Sequence, residues 1–435
     1  MKLKEFYNKN KLEEGNKVDF SFEDSNITGT IIPSLNENLM IKMNTGYNAG
    51  FDITKIKEIK STGKAKGVAK ATAKKFTKDP KLPTISLLHT GGTIASRVDY
   101  KTGGVIAGFE AQDLASMFPE IFELANIEPK LVSNMMSEDM TEENYKQLAD
   151  AVAKEIKKGV KGIIIGHGTD TLGYSAALLS FMFENCPIPV LIVGAQRSSD
   201  RGSSDARINF ICAAEFITKT SYKGVATCLH ASTNDESCAI INGTRSRKMH
   251  TSRRDAFKAI NDTPVALVNY KTKEIKWIKN KTEMENANGK FALKDKFEPK
   301  TGLVKMHPGI NEKIIEFYTK EKYKGLIIEA TGLGHTPIGK NEIFIKKIKS
   351  LVDSGCIVGI TSQCINGRTN NTVYTNLRKV AETGAIYCED MTSETALMKL
   401  SWLLGNYSKK EASELLSKNL RGEISEFSNV ETYEE

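Results

Sequence analysis

The chain has 435 residues, 40% hydrophobic and 26% charged, with a formal net charge of +8. That balance excludes a disordered or fibrous polymer and points to globular structure in two or three domains. No apolar run approaches the roughly 20 residues that cross a bilayer, so no membrane association is expected.

The opening Met1-Lys2-Leu3-Lys4-Glu5 lacks an apolar signal core, which predicts a cytoplasmic protein. From about Gly15 to Lys57, short alternating runs such as Lys17–Phe22, Thr28–Ile32 and Leu39–Met43 are separated by turn residues. Short strands at close spacing predict a small antiparallel β-barrel. The Lys-rich stretch that follows, ending in Asp79-Pro80-Lys81-Leu82-Pro83, reads as a basic linker that could face RNA. From Thr84 the pattern becomes strand-then-helix. Strands are predicted at 85–88, 162–165, 188–193 and 225–229, with helices at about 141–158, 172–183 and 205–216, an order that gives a mainly parallel sheet covered on both faces. Residues 271–300 read as a polar connection. A second α/β unit follows, with strands at 325–329 and 357–362 and helices at 341–353, 393–404 and 409–418.

Two strand ends carry the chemistry. Ile85-Ser86-Leu87-Leu88 leads to Thr90-Gly91-Gly92-Thr93-Ile94-Ala95, and Gly162-Ile163-Ile164-Ile165 leads to His167-Gly168-Thr169-Asp170-Thr171. Ligands of open α/β sheets bind beyond the carboxyl ends of the strands, so one site with two facing threonines is expected. A threonine is a nucleophile only when a neighbour takes its proton. Lys248, in Arg245-Ser246-Arg247-Lys248-Met249, can do so if its surroundings favour the neutral amine. Each residue also has a plainer reading. Thr169 or Asp170 could simply cap the helix starting near Leu172, and Lys248 could be a solvated charge. His167 reads as a packed, hydrogen-bonded histidine rather than a base. The seven cysteines form no C-x-x-C pair, and no H-E-x-x-H or Walker A motif occurs, so neither a metal nor ATP chemistry is expected in this chain.

The segments Thr90–Ala95 and His167–Thr171 resemble the two signatures of the L-asparaginase family, and Ser137-Glu138-Asp139-Met140, Val193–Arg197, the Lys248 region and Asp390–Leu400 agree with it. The resemblance implies catalytic roles for Thr93, Thr169, Asp170 and Lys248, with Thr93 as the primary nucleophile. It implies substrate contacts at Gly92, Ser137, Glu138, Gly168 and Ala195, and a small-domain contribution at or near His335. In place of the family's Gly-Tyr pair stands Gly103-Gly104-Val105, with Tyr100 earlier. The N-terminal segment, including Leu39–Asn48, resembles the GatD family, the glutaminase subunits of archaeal-type glutamyl-tRNA(Gln) amidotransferases. That family implies an α/β, asparaginase-like two-domain core of parallel sheets behind an SH3/Sm-like barrel. The expected division is a barrel at 1–60, a linker at 61–83, a large domain at 84–275, a connection at 276–300 and a small domain at 301–435. It further implies a homodimer joined by the partner GatE in a heterotetramer. Glutamine or asparagine is the amide substrate, tRNA(Gln) is met mainly through the partner, and ATP and Mg are used by GatE with no cofactor in this chain. The rival readings are a free-standing cytosolic asparaginase and an inactive RNA-binding scaffold.

Overall fold

A computed structural model describes residues 2–34, 37–43, 48–64, 78–91, 96–98, 105–107, 118–197, 204–286 and 289–433. The N-terminal segment is a five-stranded antiparallel sheet in the order Asn48–Phe51, Leu39–Met43, Ser25–Ile31, Asn16–Phe22, Ile56–Lys64. Its two edge strands are consecutive in the chain and joined by the single 3-10 turn Ile53–Lys55. Flat strands sit about 4.8 Å apart, so the edges of a flat sheet would lie beyond the reach of that turn. The sheet therefore curls, around Phe6, Val18, Phe20, Ile31, Leu39, Ile41 and Ile53.

Three segments differ from the sequence reading. Leu3–Asn10 is a helix that inserts Phe6 into this small core. Ser61–Lys64, read as the start of the linker, belongs to the strand Ile56–Lys64, where Lys64 pairs with Asn16. The connection is also structured. Strand Ile275–Trp277 joins the main sheet, Lys281–Glu285 is helical, and Ala292–Leu293 pairs with Phe183–Glu184. Residues 65–77 lie outside the described residues.

The main sheet has eight strands, in the order Ile275–Trp277, Ala266–Asn269, Ser237–Asn242, Gly224–His230, Pro189–Val193, Gly162–Gly166, Thr84–Gly91, Asn126–Met135. The last five run parallel and the first three add antiparallel strands at one edge. Successive side chains on a strand point to opposite faces, and that alternation divides two cores. Ile163, Ile165, Val190 and Ile192 pack under helices Glu142–Lys158 and Leu172–Met182. Ile164, Leu191 and Val193 pack under helix Ala206–Lys219. A second, wholly parallel sheet has the order Thr301–Lys305, Gly325–Ala330, Ile357–Ser362, Ile386–Tyr387. Helix Ser393–Asn406 joins the two bodies. Its Trp402 stacks on Phe181 at 5.5 Å between ring centroids, and its Leu400 fills the space left by the missing side chain of Gly325. Among the described residues no helix is long and apolar enough to cross a membrane.

Candidate active site

The two signature loops leave neighbouring parallel strands in register, Gly162 opposite Ile85 through Gly166 opposite His89. Thr90 Oγ1 donates to the Gly166 carbonyl at 3.1 Å and ties the strand ends together. Gly91 has φ +102°, and a Cβ there would lie 2.4 Å from the Met135 carbonyl oxygen. Only glycine fits there, because φ is positive and the backbone of the edge strand approaches closely. Gly92, Thr93 and Tyr100 lie outside the described residues.

The second loop is held from three sides. Thr171 caps the helix Leu172–Met182 by position, but its Oγ1 donates to the Ser137 carbonyl at 2.6 Å rather than serving the helix. Thr169 and Asp170 are therefore not the cap. Both face Lys248, whose Nζ donates to Thr169 Oγ1 at 2.9 Å and pairs with Asp170 Oδ1 at 2.7 Å. Nor is Lys248 a solvated charge, since its side chain is 15% exposed. It arrives on strand Ser246–Lys248, which pairs with Phe257–Ala259, and Ser246 Oγ hydrogen-bonds Thr227 Oγ1 at 2.8 Å. Asp170 is 69% exposed, so the group is open to solvent on one side.

Two glycines make room for these side chains. A Cβ on Gly194 would sit 2.6 Å from Thr169 Cγ2, and one on Gly168 would sit 2.7 Å from Ser137 Cβ. Ser137 is buried at the 3-10 turn Ser137–Asp139, where Glu138 is exposed. Ala195 is buried beside Gly194. Residues 194–197 are fastened by a carboxylate that sequence reasoning missed. Asp205 stands at the start of helix Ala206–Lys219 without capping it. Its oxygens instead accept from Gln196 N at 3.0 Å, Arg197 N at 3.1 Å and Asn209 Nδ2 at 3.3 Å. Asn209 Nδ2 also donates to the Gly194 carbonyl at 3.0 Å. The signal was an aspartate at a helix start, a pattern that ordinarily reads as a cap.

His167 is fully buried between the Gly168 carbonyl (2.7 Å) and Ser175 Oγ (2.9 Å). Burial pushes its pKa below the ordinary value, which keeps it a neutral structural bridge. His335 lies on the second sheet's carboxyl edge, its ring 5.1 Å from that of Tyr374. It makes none of the hydrogen bonds within the Thr169, Asp170 and Lys248 group. Among the described residues no cluster of His, Cys, Asp or Glu is placed to hold a metal ion.

A primary amine within hydrogen-bond reach of a hydroxyl and a carboxylate is suited to proton transfer at an acyl carbon. Residues 84–283 match the asparaginase N-terminal family model, and residues 300–416 match the glutaminase/asparaginase C-terminal domain. The chain is 46% identical over 426 residues to the GatD subunit of the glutamyl-tRNA(Gln) amidotransferase of Methanococcus maripaludis, covering 97% of this chain and 100% of that one. It is 44% identical to the protein of that name from Pyrococcus furiosus, covering 97% and 95%. Among solved structures, the thermostable L-asparaginase of Thermococcus kodakarensis is similar with a TM-score of 0.71 at 28% identity, covering 79% of this chain and 99% of that one.

Proposed function

We propose, for a chain that belongs to the asparaginase family and within it to the GatD branch of glutamyl-tRNA(Gln) amidotransferase subunits, that its three-sided Thr169–Asp170–Lys248 group serves a glutaminase. This chain is the amidohydrolase component of a tRNA-dependent amidotransferase. It hydrolyses the carboxamide of glutamine, or of asparagine, and the ammonia released converts Glu-tRNA(Gln) to Gln-tRNA(Gln). The chain forms a cytoplasmic homodimer that joins GatE in a heterotetramer. That partner activates the glutamyl end with ATP and Mg and makes most of the contact with tRNA(Gln).

One observation carries this reading: Lys248 Nζ lies within hydrogen-bond distance of both Thr169 Oγ1 and Asp170 Oδ1, beside the strand end that leads to Thr93. In the mechanism, Thr93 Oγ attacks the carboxamide carbon and its proton passes to the Lys248 amine. The carbonyl electron pair moves onto oxygen, where backbone N–H groups of the Thr169 segment stabilise it. Such donors are each worth about 10²–10³ in rate. The carbon–nitrogen bond then breaks, nitrogen takes the proton from Lys248, and ammonia leaves an ester on Thr93. Water cleaves that ester to give the acid. Thr169 orients Lys248, Asp170 holds the substrate ammonium, and Ser137 and Glu138 bind its amino-acid end, with Gly92, Gly168 and Ala195 offering backbone contacts.

The direct test is a glutaminase assay of the purified chain, with and without GatE and glutamyl-tRNA(Gln). Turnover is expected to rise when both are added, and Thr93→Ala should abolish it. Full activity of the isolated chain, unchanged by the partner, would favour the free-standing asparaginase. A subtler variant separates binding from chemistry. Gly168→Ala pushes the added methyl into Ser137, so KM for glutamine should rise about tenfold while kcat changes less. Unchanged KM would remove Ser137 from the binding site.

A further inference from the structure

The segment after the last α-helix, residues 417–426, lies beyond the end of the family-model match at residue 416. It runs against the strand that supplies Lys248. Arg245, three residues before Lys248, is 2% exposed, and each nitrogen of its guanidinium is engaged. Nε donates to the Gly422 carbonyl at 2.7 Å, Nη2 to Ser425 Oγ at 2.8 Å, and Nη1 to Asp390 Oδ2 at 3.0 Å. Asp390 closes the ring by accepting from Ser425 N at 3.0 Å. Gly422 reaches this position with φ +82°, a left-handed turn that glycine takes without strain.

The segment is anchored separately on its other side. Glu423 and Lys399 form a fully buried ion pair at 2.6 Å, and Glu423 also accepts from the backbone of Leu420 (3.0 Å) and Arg421 (2.6 Å). A buried charge pair that lost one member would leave the other unsolvated, which penalises any state with the segment detached. The strap is thus fixed to helix Ser393–Asn406, and through Arg245 it fixes the entry to strand Ser246–Lys248. That strand has only three residues and pairs on one side with another three-residue strand. So short a ladder needs outside support to hold a long lysine side chain in one place.

We propose that Arg245 and the C-terminal strap are a positioning device for Lys248: the guanidinium, held by Gly422, Ser425 and Asp390, sets the register in which the amine meets Thr169 and Asp170. This rests on the assignment of Lys248 as the proton carrier. A displacement of about 1 Å in such a group costs up to about 10²-fold in rate.

The test compares two substrates on the full-length chain: glutamine, whose leaving nitrogen needs a proton, and the γ-(4-nitrophenyl) ester of glutamate, whose leaving group needs none. Arg245→Lys keeps a charge opposite Asp390 but loses the fork. Amide turnover should fall about 10–100-fold and ester turnover several-fold less. Ser425→Ala, which removes one acceptor and leaves the ion pairs intact, should lower the amide-to-ester ratio a few-fold. Lys248→Ala is the reference and should lower the ratio furthest. If Lys248→Ala lowers it while both strap variants reduce the two substrates equally, the strap only stabilises the fold and the inference is overturned. If Lys248→Ala itself leaves the ratio unchanged, the assignment of Lys248 fails and the inference falls with it.

Discussion

Lys248→Ala is expected to lower glutamine hydrolysis by about 10²–10⁴-fold, the range that a positioned proton-transfer group supplies. The loss should appear in kcat, because the amine acts on the developing alkoxide and the leaving nitrogen rather than on the resting substrate. Folding should change little. The Lys248 contact with Asp170 opens to solvent on the carboxylate side, so removing the amine leaves Asp170 hydrated rather than buried and unpaired. Thermal unfolding measured beside steady-state kinetics separates the two effects. Thr169→Ala should give the same pattern with a smaller loss, since it removes only the oxygen that Lys248 contacts at 2.9 Å. A Lys248→Ala enzyme with near-normal turnover would show that the amine is merely a neighbour.

Much of this arrangement is legible in the sequence, and what is not has identifiable causes. Ile163-Ile164-Ile165 followed by Gly-His-Gly-Thr marks a buried strand ending in a loop, because only a strand covered on both faces tolerates consecutive large apolar residues. Strand Asn126–Met135 escapes such a reading. It contains Pro129 with Glu128 and Lys130 beside it, and these are tolerated because the strand is the edge of the sheet. Helix Leu3–Asn10 has eight residues and three charged ones, too short a span to display a clear periodicity, and it is committed to the core by buried Phe6 with Leu3 and Tyr7 packed beside it. The choice between cap and site at Thr169 and Asp170 cannot be made locally. It is decided by Lys248, 79 residues from Thr169. Asp205 misleads in the opposite direction. It occupies a cap position, yet its carboxylate serves the loop at Gln196 and Arg197, because the helix start faces that loop across the sheet's end.

Gly194→Ala should impair the enzyme more than its modest chemistry suggests. The added methyl would sit 2.6 Å from Thr169 Cγ2, 3.0 Å from Leu172 Cδ1 and 3.2 Å from the His167 carbonyl oxygen. Two of these three cannot yield. Leu172 is fully buried in the main core, and the His167 backbone is fixed by its N–H bond to the Val193 carbonyl at 2.9 Å. Thr169 is the side chain that can rotate, so the strain moves there. Overpacking of this kind costs about 1–3 kcal/mol, whereas turning Thr169 Oγ1 away from Lys248 removes a contact on which proton transfer depends. Activity should therefore fall by about 10²-fold in a protein whose unfolding midpoint drops by only a few degrees. The double variant Gly194→Ala with Thr169→Ser tests the cause directly. Serine lacks the Cγ2 that the new methyl meets, so it should restore part of the lost turnover, whereas Thr169→Ser alone should not raise activity. Failure of the serine to rescue would place the damage elsewhere, in the backbone of residues 194–197 that Asp205 and Asn209 hold.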